Sequence, residues 1–244
     1  MQEPRAYTTV FFDLDGTLLP IDTGDFMSAY TVSLGEFAHD RGLDGRAVME
    51  ALFAGVKAMA KNDGARTNRD MFWDAFSQAA GMDARTTETL FDEYYDGPFN
   101  DIARLAAPNP AAARAIAALK SKGYAIALTT MPMFPLKAVH ARLKWAGLDA
   151  ADFAFVTDYA TATSVKPQVA YYEEALRRAG AEPAEVLMVG NNTREDGAAY
   201  RAGCDIYFVT DNLIESEDGL NVAEHKHGTL EDFARFCEGL PSLA

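Results

Sequence analysis

The 244-residue sequence holds only two cysteines, Cys204 and Cys237. They lie far apart and form no Cys-x-x-Cys pair, which argues against a disulfide framework and a structural zinc site and for a reducing compartment. No run of about 18 apolar residues occurs, so no membrane-spanning helix is predicted. Met1 to Tyr7 is polar, with Glu3, Pro4 and Arg5, and no apolar signal core follows. A soluble, cytoplasmic protein is the expectation. Basic residues are scarce: 22 Lys and Arg stand against 36 Asp and Glu, a formal net charge of −14. That balance, with no basic aromatic stripe, speaks against nucleic acid and anionic membrane surfaces as partners. An anionic small molecule stays open, because a metal and a few basic groups reverse the sign locally. The histidines, His39, His140, His225 and His227, follow no metal-ligand pattern.

What is present begins with Thr9-Val10-Phe11-Phe12-Asp13-Leu14-Asp15-Gly16-Thr17-Leu18. Val10 to Phe12 read as a buried strand. A strand that ends in a carboxylate delivers it to the edge where open α/β sheets bind ligands. Gly16 permits a sharp turn that folds Asp15 back beside Asp13. Two acids held this close drive one to protonate unless a cation sits between them. A helix–loop–helix calcium loop needs Gly at its sixth position and Glu at its twelfth. Counting from Asp13, Gly16 is fourth and Gly24 is twelfth, so that reading fails.

From Asp22 to about Asp96 the apolar spacing is helical: Phe26, Tyr30, Leu34 and Phe37, then Val48, Leu52, Val56 and Met59, then Phe72 and Phe76. Gly42, Asp63-Gly64 and Gly81 punctuate it, and Thr67 or Asn68 is a candidate N-cap. About four helices are predicted there. Beyond Ala111 the periods alternate. Strands are predicted at Tyr124–Leu128, Phe153–Val156, Val186–Val189 and Ile206–Val209. Helices are predicted at Ala111–Lys120, Pro135–Trp145, Val169–Arg178, Thr193–Arg201 and Leu230–Cys237, with His225-Lys226-His227 an exposed polar tail. Such alternation implies an α/β, doubly wound parallel sheet. The predicted division is a core of residues 1–20 and 98–244 and a helical insert, 21–97, lying over the carboxyl edge as a lid.

Three further clusters fall at strand ends on that edge. They are Thr129-Thr130-Met131-Pro132, Lys166-Pro167, and Gly190-Asn191-Asn192-Thr193-Arg194-Glu195-Asp196. Each alone reads as a turn, a cap or a solvated charge. Their order and shared edge set them apart. With Asp13-Leu14-Asp15-Gly16-Thr17 as the first of four motifs, the chain resembles the haloacid dehalogenase-like superfamily of hydrolases and phosphotransferases. The helical insert resembles that superfamily's C1-type cap, and the resemblance spans nearly the whole chain.

The resemblance implies a magnesium-dependent phosphatase acting on a small phosphorylated metabolite through an aspartyl-phosphate. Asp13 is then the nucleophile and Asp15 the general acid and base, roles that suit carboxylates. Thr130 and Lys166 would hold the phosphoryl oxygens and neutralise developing charge. Met131 and Arg66 are candidate substrate contacts, Arg66 as one of the cations (with Lys57, Lys61 and Arg69) flanking the Asn62-Asp63-Gly64 turn. Magnesium would be held by Asp13, Asp15 (through its backbone carbonyl), Asn191 and Asp196. An acid at position 15 argues against dehalogenation. One departure stands out: the family usually has an aspartate at position 191 or one residue on, and here both are asparagine. An amide oxygen still suits magnesium, so weakened affinity is expected. The alternatives are a phosphomutase of the same fold and a catalytically weakened binding module. No motif encodes the substrate's identity or an oligomeric state.

Overall fold

The computed structural model describes residues 6–243, so the polar stretch Met1–Arg5 lies outside them. Strand β1 (Thr9–Phe12) leads into α1 (Thr23–Asp40), α2 (Gly45–Ala60), α3 (Asn68–Ala80) and α4 (Ala84–Asp96). After α5 (Pro110–Ser121) follow β2 (Ala125–Leu128), α6 (Leu136–Trp145), α7 (Val169–Ala179) and β3 (Val186–Gly190). Then come α8 (Ala198–Arg201), β4 (Asp205–Val209), β5 (Lys226–Gly228) and α9 (Leu230–Gly239).

The strands form one sheet in the order β2-β1-β3-β4-β5, and every pairing is parallel. Parallel neighbours need crossovers, and the helices that supply them cover both faces. Alternation along β1 divides the core between those faces. Val10 and Phe12 join Leu128, Val189, Ile116 and Phe233 on one side. Phe11 joins Met188, Phe208 and Tyr172 on the other. The register decides where the site sits. Phe12 lies opposite both Leu128 and Val189, so Asp13, Thr129 and Gly190 emerge at one level on the carboxyl edge.

Each inserted helix starts at a side-chain cap: Asp22, Asp44, Thr67 and Asp83 accept amide hydrogens from the first turns of α1 to α4. Such caps satisfy donors that a helix start leaves bare. Gly55 lets α2 and α3 meet closely, because a Cβ there would lie 2.4 Å from the Phe72 ring. The insert is fastened to the sheet side through fully buried Asn68. Its Nδ2 donates to the carbonyls of Pro132 (3.2 Å) and Ser164 (3.0 Å).

Three expectations need correction. Phe153–Val156 does lie beside β2, with amide–carbonyl bonds Ala154 to Ile126 (2.7 Å), Leu128 to Phe155 (3.0 Å) and Thr157 to Leu128 (2.9 Å), but it forms a single bridge, Val156 to Leu128, and not a full strand. The turn at Ala150–Asp152, capped by Asp149, runs straight into it and leaves too short an extended run. Residues 193–197 are turn and not helix, because Asn192 Oδ1 accepts from the amides of Arg194 and Glu195 and closes a tight loop there. Lys226 and His227 are exposed as expected, but this polar stretch is ordered as β5, an edge strand whose charge and polarity discourage further pairing. Among the described residues no helix is long and apolar enough to cross a membrane.

Candidate active site

Asp13 follows β1 directly, and its amide donates to the Val189 carbonyl at 2.9 Å, which ties the strand end to β3. The chain then turns back: the amides of Thr17 and Leu19 both donate to the Leu14 carbonyl, at 3.2 and 2.8 Å. Gly16 makes the turn possible for two reasons. Its φ is +78°, and a Cβ there would lie 2.2 Å from Asn191 Nδ2. The first motif therefore packs backbone against the fourth, as only glycine allows.

Lys166 joins the acids. Its Nζ donates to Asp13 Oδ1 at 2.8 Å and to Asp196 Oδ1 at 2.7 Å, and its side chain is 1% exposed. Burial works to lower the pKa of Lys166, but the charges of Asp13 and Asp196 overcome it and hold the ammonium well above its ordinary range. Asp196 also accepts from the Asn192 amide at 2.9 Å. Burial pushes its carboxyl up to about 6 against the pull of Lys166. Glu195, on the same loop and lining the same cavity, is pushed up to about 7, first by burial and then by Asp196 and Asp13. Lys166 is one cation against Asp13, Asp196 and Glu195, so this cluster is short of positive charge.

Two oxygens converge on the Thr17 hydroxyl, which lies 3.1 Å from Asn191 Oδ1 and 3.4 Å from Asp13 Oδ2. Asn191 Nδ2 donates to the Asn212 carbonyl at 2.6 Å, and this fixes which face of the amide looks inward. Thr130 follows β2. Its carbonyl accepts from Tyr171 (2.8 Å) and Thr157 (3.0 Å), while its buried hydroxyl has no partner. An unpaired buried hydroxyl lining a cavity is a group prepared for a ligand atom.

The side chain of Asp15 is paired with Arg142 of α6. Arg142 is fully buried, its guanidinium 4.6 Å from the Phe134 ring centre and 5.6 Å from that of Phe26, with Nε donating to the Ala138 carbonyl. Burial raises the pKa of Asp15, opposed mainly by Arg142. Arg142 was invisible in the sequence, where it reads as a helix-surface charge. Its one signal is its helical spacing, three and four residues after Val139 and Ala138, which face the core.

A cavity of about 300 Å³ opens above these groups. Asp13, Asp15, Thr130, Met131, Asn191 and Asp196 line its floor, and the inserted helices form its roof. Of the residues expected at the site, Arg66 is not brought there. It is exposed and its guanidinium is paired with Asp74 at 2.6 Å; it does not line the cavity. Arg142 engages Asp15 Oδ2, while Asp15 Oδ1 is buried without a hydrogen-bond partner, and both oxygens of Asp196 are already hydrogen-bonded. Among the described residues no group of three or more His, Cys, Asp or Glu is arranged to hold a metal ion.

The sequence model of a family described as haloacid dehalogenase-like hydrolase matches residues 7–203. The Bos taurus haloacid dehalogenase-like hydrolase domain-containing protein 2 is 31% identical over 109 residues, which is 41% of this chain and 42% of that protein. The chain thus spans less than half of this curated relative. Among solved structures, a HAD phosphatase from Thermococcus onnurineus superposes with a TM-score of 0.61 at 18% identity, covering 97% of this chain and 100% of the other. The L-2-haloacid dehalogenase of Xanthobacter autotrophicus does so with 0.58 at 18%, covering 96% and 99%. A predicted phosphoglycolate phosphatase from Haemophilus somnus does so with 0.55 at 20%, covering 94% and 97%. At these identities the likeness is one of fold.

Proposed function

The chain belongs to the haloacid dehalogenase-like hydrolases, and from that membership and the site's geometry we propose that it is a magnesium-dependent phosphatase of a small phosphorylated metabolite. The observation that carries the reading is Asp15 lining the same cavity as Asp13. A halide leaves without a proton. The alkoxide leaving from a phosphate ester needs one, and an acid beside the nucleophile supplies it.

One carboxylate oxygen of Asp13 attacks phosphorus and displaces the alcohol to give an aspartyl-phosphate, leaving the other for the metal. Asp15, its pKa raised by burial, gives its proton to the leaving oxygen and later takes one from the attacking water. Lys166 and the Thr130 hydroxyl offset and hold the phosphoryl oxygens. Residues 21–97 serve as the cap that encloses the alcohol.

Asp13 Oδ2 and Asn191 Oδ1, converging on one hydroxyl, are hard oxygens of the kind magnesium takes, and that ion commonly uses one or two carboxylates plus a substrate phosphate. The donor set fits a weakly held ion carried by Asp13, Asn191 and the Asp15 carbonyl, with Asp196 behind them. When bound it would neutralise the acids and polarise the phosphate.

Asn192→Asp is the substitution that should strengthen the metal. The side-chain oxygen of Asn192 already accepts two amide hydrogens, so a carboxylate keeps both bonds and brings charge to the cavity. Outer ligand partners alone alter metal affinity by roughly 10- to 100-fold. The magnesium concentration for half-maximal activity is therefore expected to fall at least about tenfold, as read by titration. The reading itself is tested by parallel assays for phosphate from an aryl phosphate and for halide from 2-chloropropionate, with and without magnesium. Phosphate release that needs magnesium is expected. Halide release would point to a dehalogenase, an isomerised sugar phosphate to a mutase, and no turnover to a binding module.

A further inference from the structure

The roof of the cavity offers a ligand almost no free polar atoms. Tyr30 and Tyr95 share a hydrogen bond with each other at 3.0 Å. Tyr159 donates to Glu88 Oε1 at 2.7 Å, and Arg69 Nε donates to that same oxygen at 2.7 Å. Trp73 Nε1 leans on the Tyr159 hydroxyl at 3.5 Å. Each polar tip of this wall is thus matched to another, and what remains is the carbon surface of Phe26, Leu52, Val56, Phe72, Phe91 and Met133. Thr23 and Asp92 stand at the rim, Asp92 facing Lys137 at 3.8 Å.

Charge is equally spoken for. Lys57 and Lys61 are exposed, and Arg66 pairs with Asp74. Among the described residues the cavity lining includes one cation, Arg142, and it is paired with Asp15. A second phosphate, a carboxylate or a row of sugar hydroxyls would enter this space and lose its water without replacement. Each buried hydroxyl left unpaired weakens binding by roughly tenfold or more.

We propose, resting on the phosphatase reading, that the substrate is the monophosphate ester of an apolar alcohol about the size of one aromatic ring. Size agrees with chemistry. A dry cavity of about 150 Å³ holds benzene. The space of about 300 Å³ here therefore takes a phosphoryl group on the floor and one ring or short alkyl chain under the roof. Sugar phosphates, nucleotides and phosphoglycolate are the classes this wall rejects.

The test compares kcat/KM of the whole protein, with magnesium, for benzyl phosphate and for glucose 6-phosphate, both esters of primary alcohols, and for phosphoglycolate. p-Nitrophenyl phosphate, whose leaving group needs no proton, reports the attack on phosphorus. Benzyl phosphate is expected to exceed the other two by on the order of 100-fold, two hydroxyls' worth of unmet hydrogen bonding. The variant Val56→Thr, which keeps the shape and adds one hydroxyl, is expected to narrow that ratio several-fold. Equal or better turnover of glucose 6-phosphate or phosphoglycolate would overturn the apolar class while leaving the phosphatase reading standing. Phosphate from none of the four, the aryl ester included, would overturn both.

Discussion

Asp13→Asn is expected to abolish phosphate release, with kcat falling on the order of 10⁴-fold or more, the scale seen when a covalent nucleophile is removed. A carboxamide oxygen is a poor nucleophile toward phosphorus, and no neighbour can take over. Asp196 is buried against Lys166, and Asp15 is paired with Arg142. The fold should survive. Asn has the same shape, can still accept from Lys166 through its oxygen, and the backbone bond from residue 13 to Val189 does not involve the side chain. KM for a slowly turned-over ester should change little, because the substitution removes a bond made on the way to the transition state. Phosphate assays beside a thermal melt read both halves. A variant that folds and keeps more than a few per cent of wild-type activity would show that Asp13 is not the attacking group.

Arg142→Met is expected to have the largest effect on stability. Methionine replaces the buried stem between Phe134 and Phe26 but leaves the Asp15 carboxylate without its counter-charge. Breaking one side of a buried ion pair costs about 3–5 kcal/mol. The pH dependence separates charge from packing. Burial already raises Asp15 above its unfolded value, and Arg142 is the strongest opposing influence. Without it the folded-state pKa rises further, so the folded state holds a proton that the unfolded chain gives up. Stability then declines as pH climbs from the unfolded pKa through the raised folded one. Denaturation of wild type and variant should therefore show a large deficit near pH 7 and a smaller one near about pH 4, where Asp15 is protonated in the folded variant. Asp15→Asn in the Arg142→Met background should restore part of the loss at pH 7. A deficit equal at both pH values would mean that Arg142 stabilises by packing alone.

Much of the architecture was legible in the residues because its signals are local. β1 is four residues of β-formers bounded by an acid, and the inserted helices carry apolar residues at helical spacing with Asp or Thr caps in front of them. The misread segments are those where one side-chain contact outweighed a weak pattern. Asn192 turned a helix start into a loop, and Lys226–Gly228 became a strand through pairing with β4, with no apolar period to announce it. At the site, the motif order and spacing placed Asp13, Thr130, Lys166 and Asn191 at one edge. Direction was another matter. That Asp15 meets a buried arginine and that Asp196 is engaged by Lys166 depend on contacts between residues 127 and 30 positions apart, whereas Arg66 is held by Asp74, eight residues on.

By itself the sequence determined the parallel α/β plan and the roster of groups at its carboxyl edge, because periodicity and turn chemistry are read within a few residues. Which acid faces which cation, and which polar tips of the roof pair with one another, came from tertiary packing, because those partners lie from 19 to 153 residues apart and no local pattern links them.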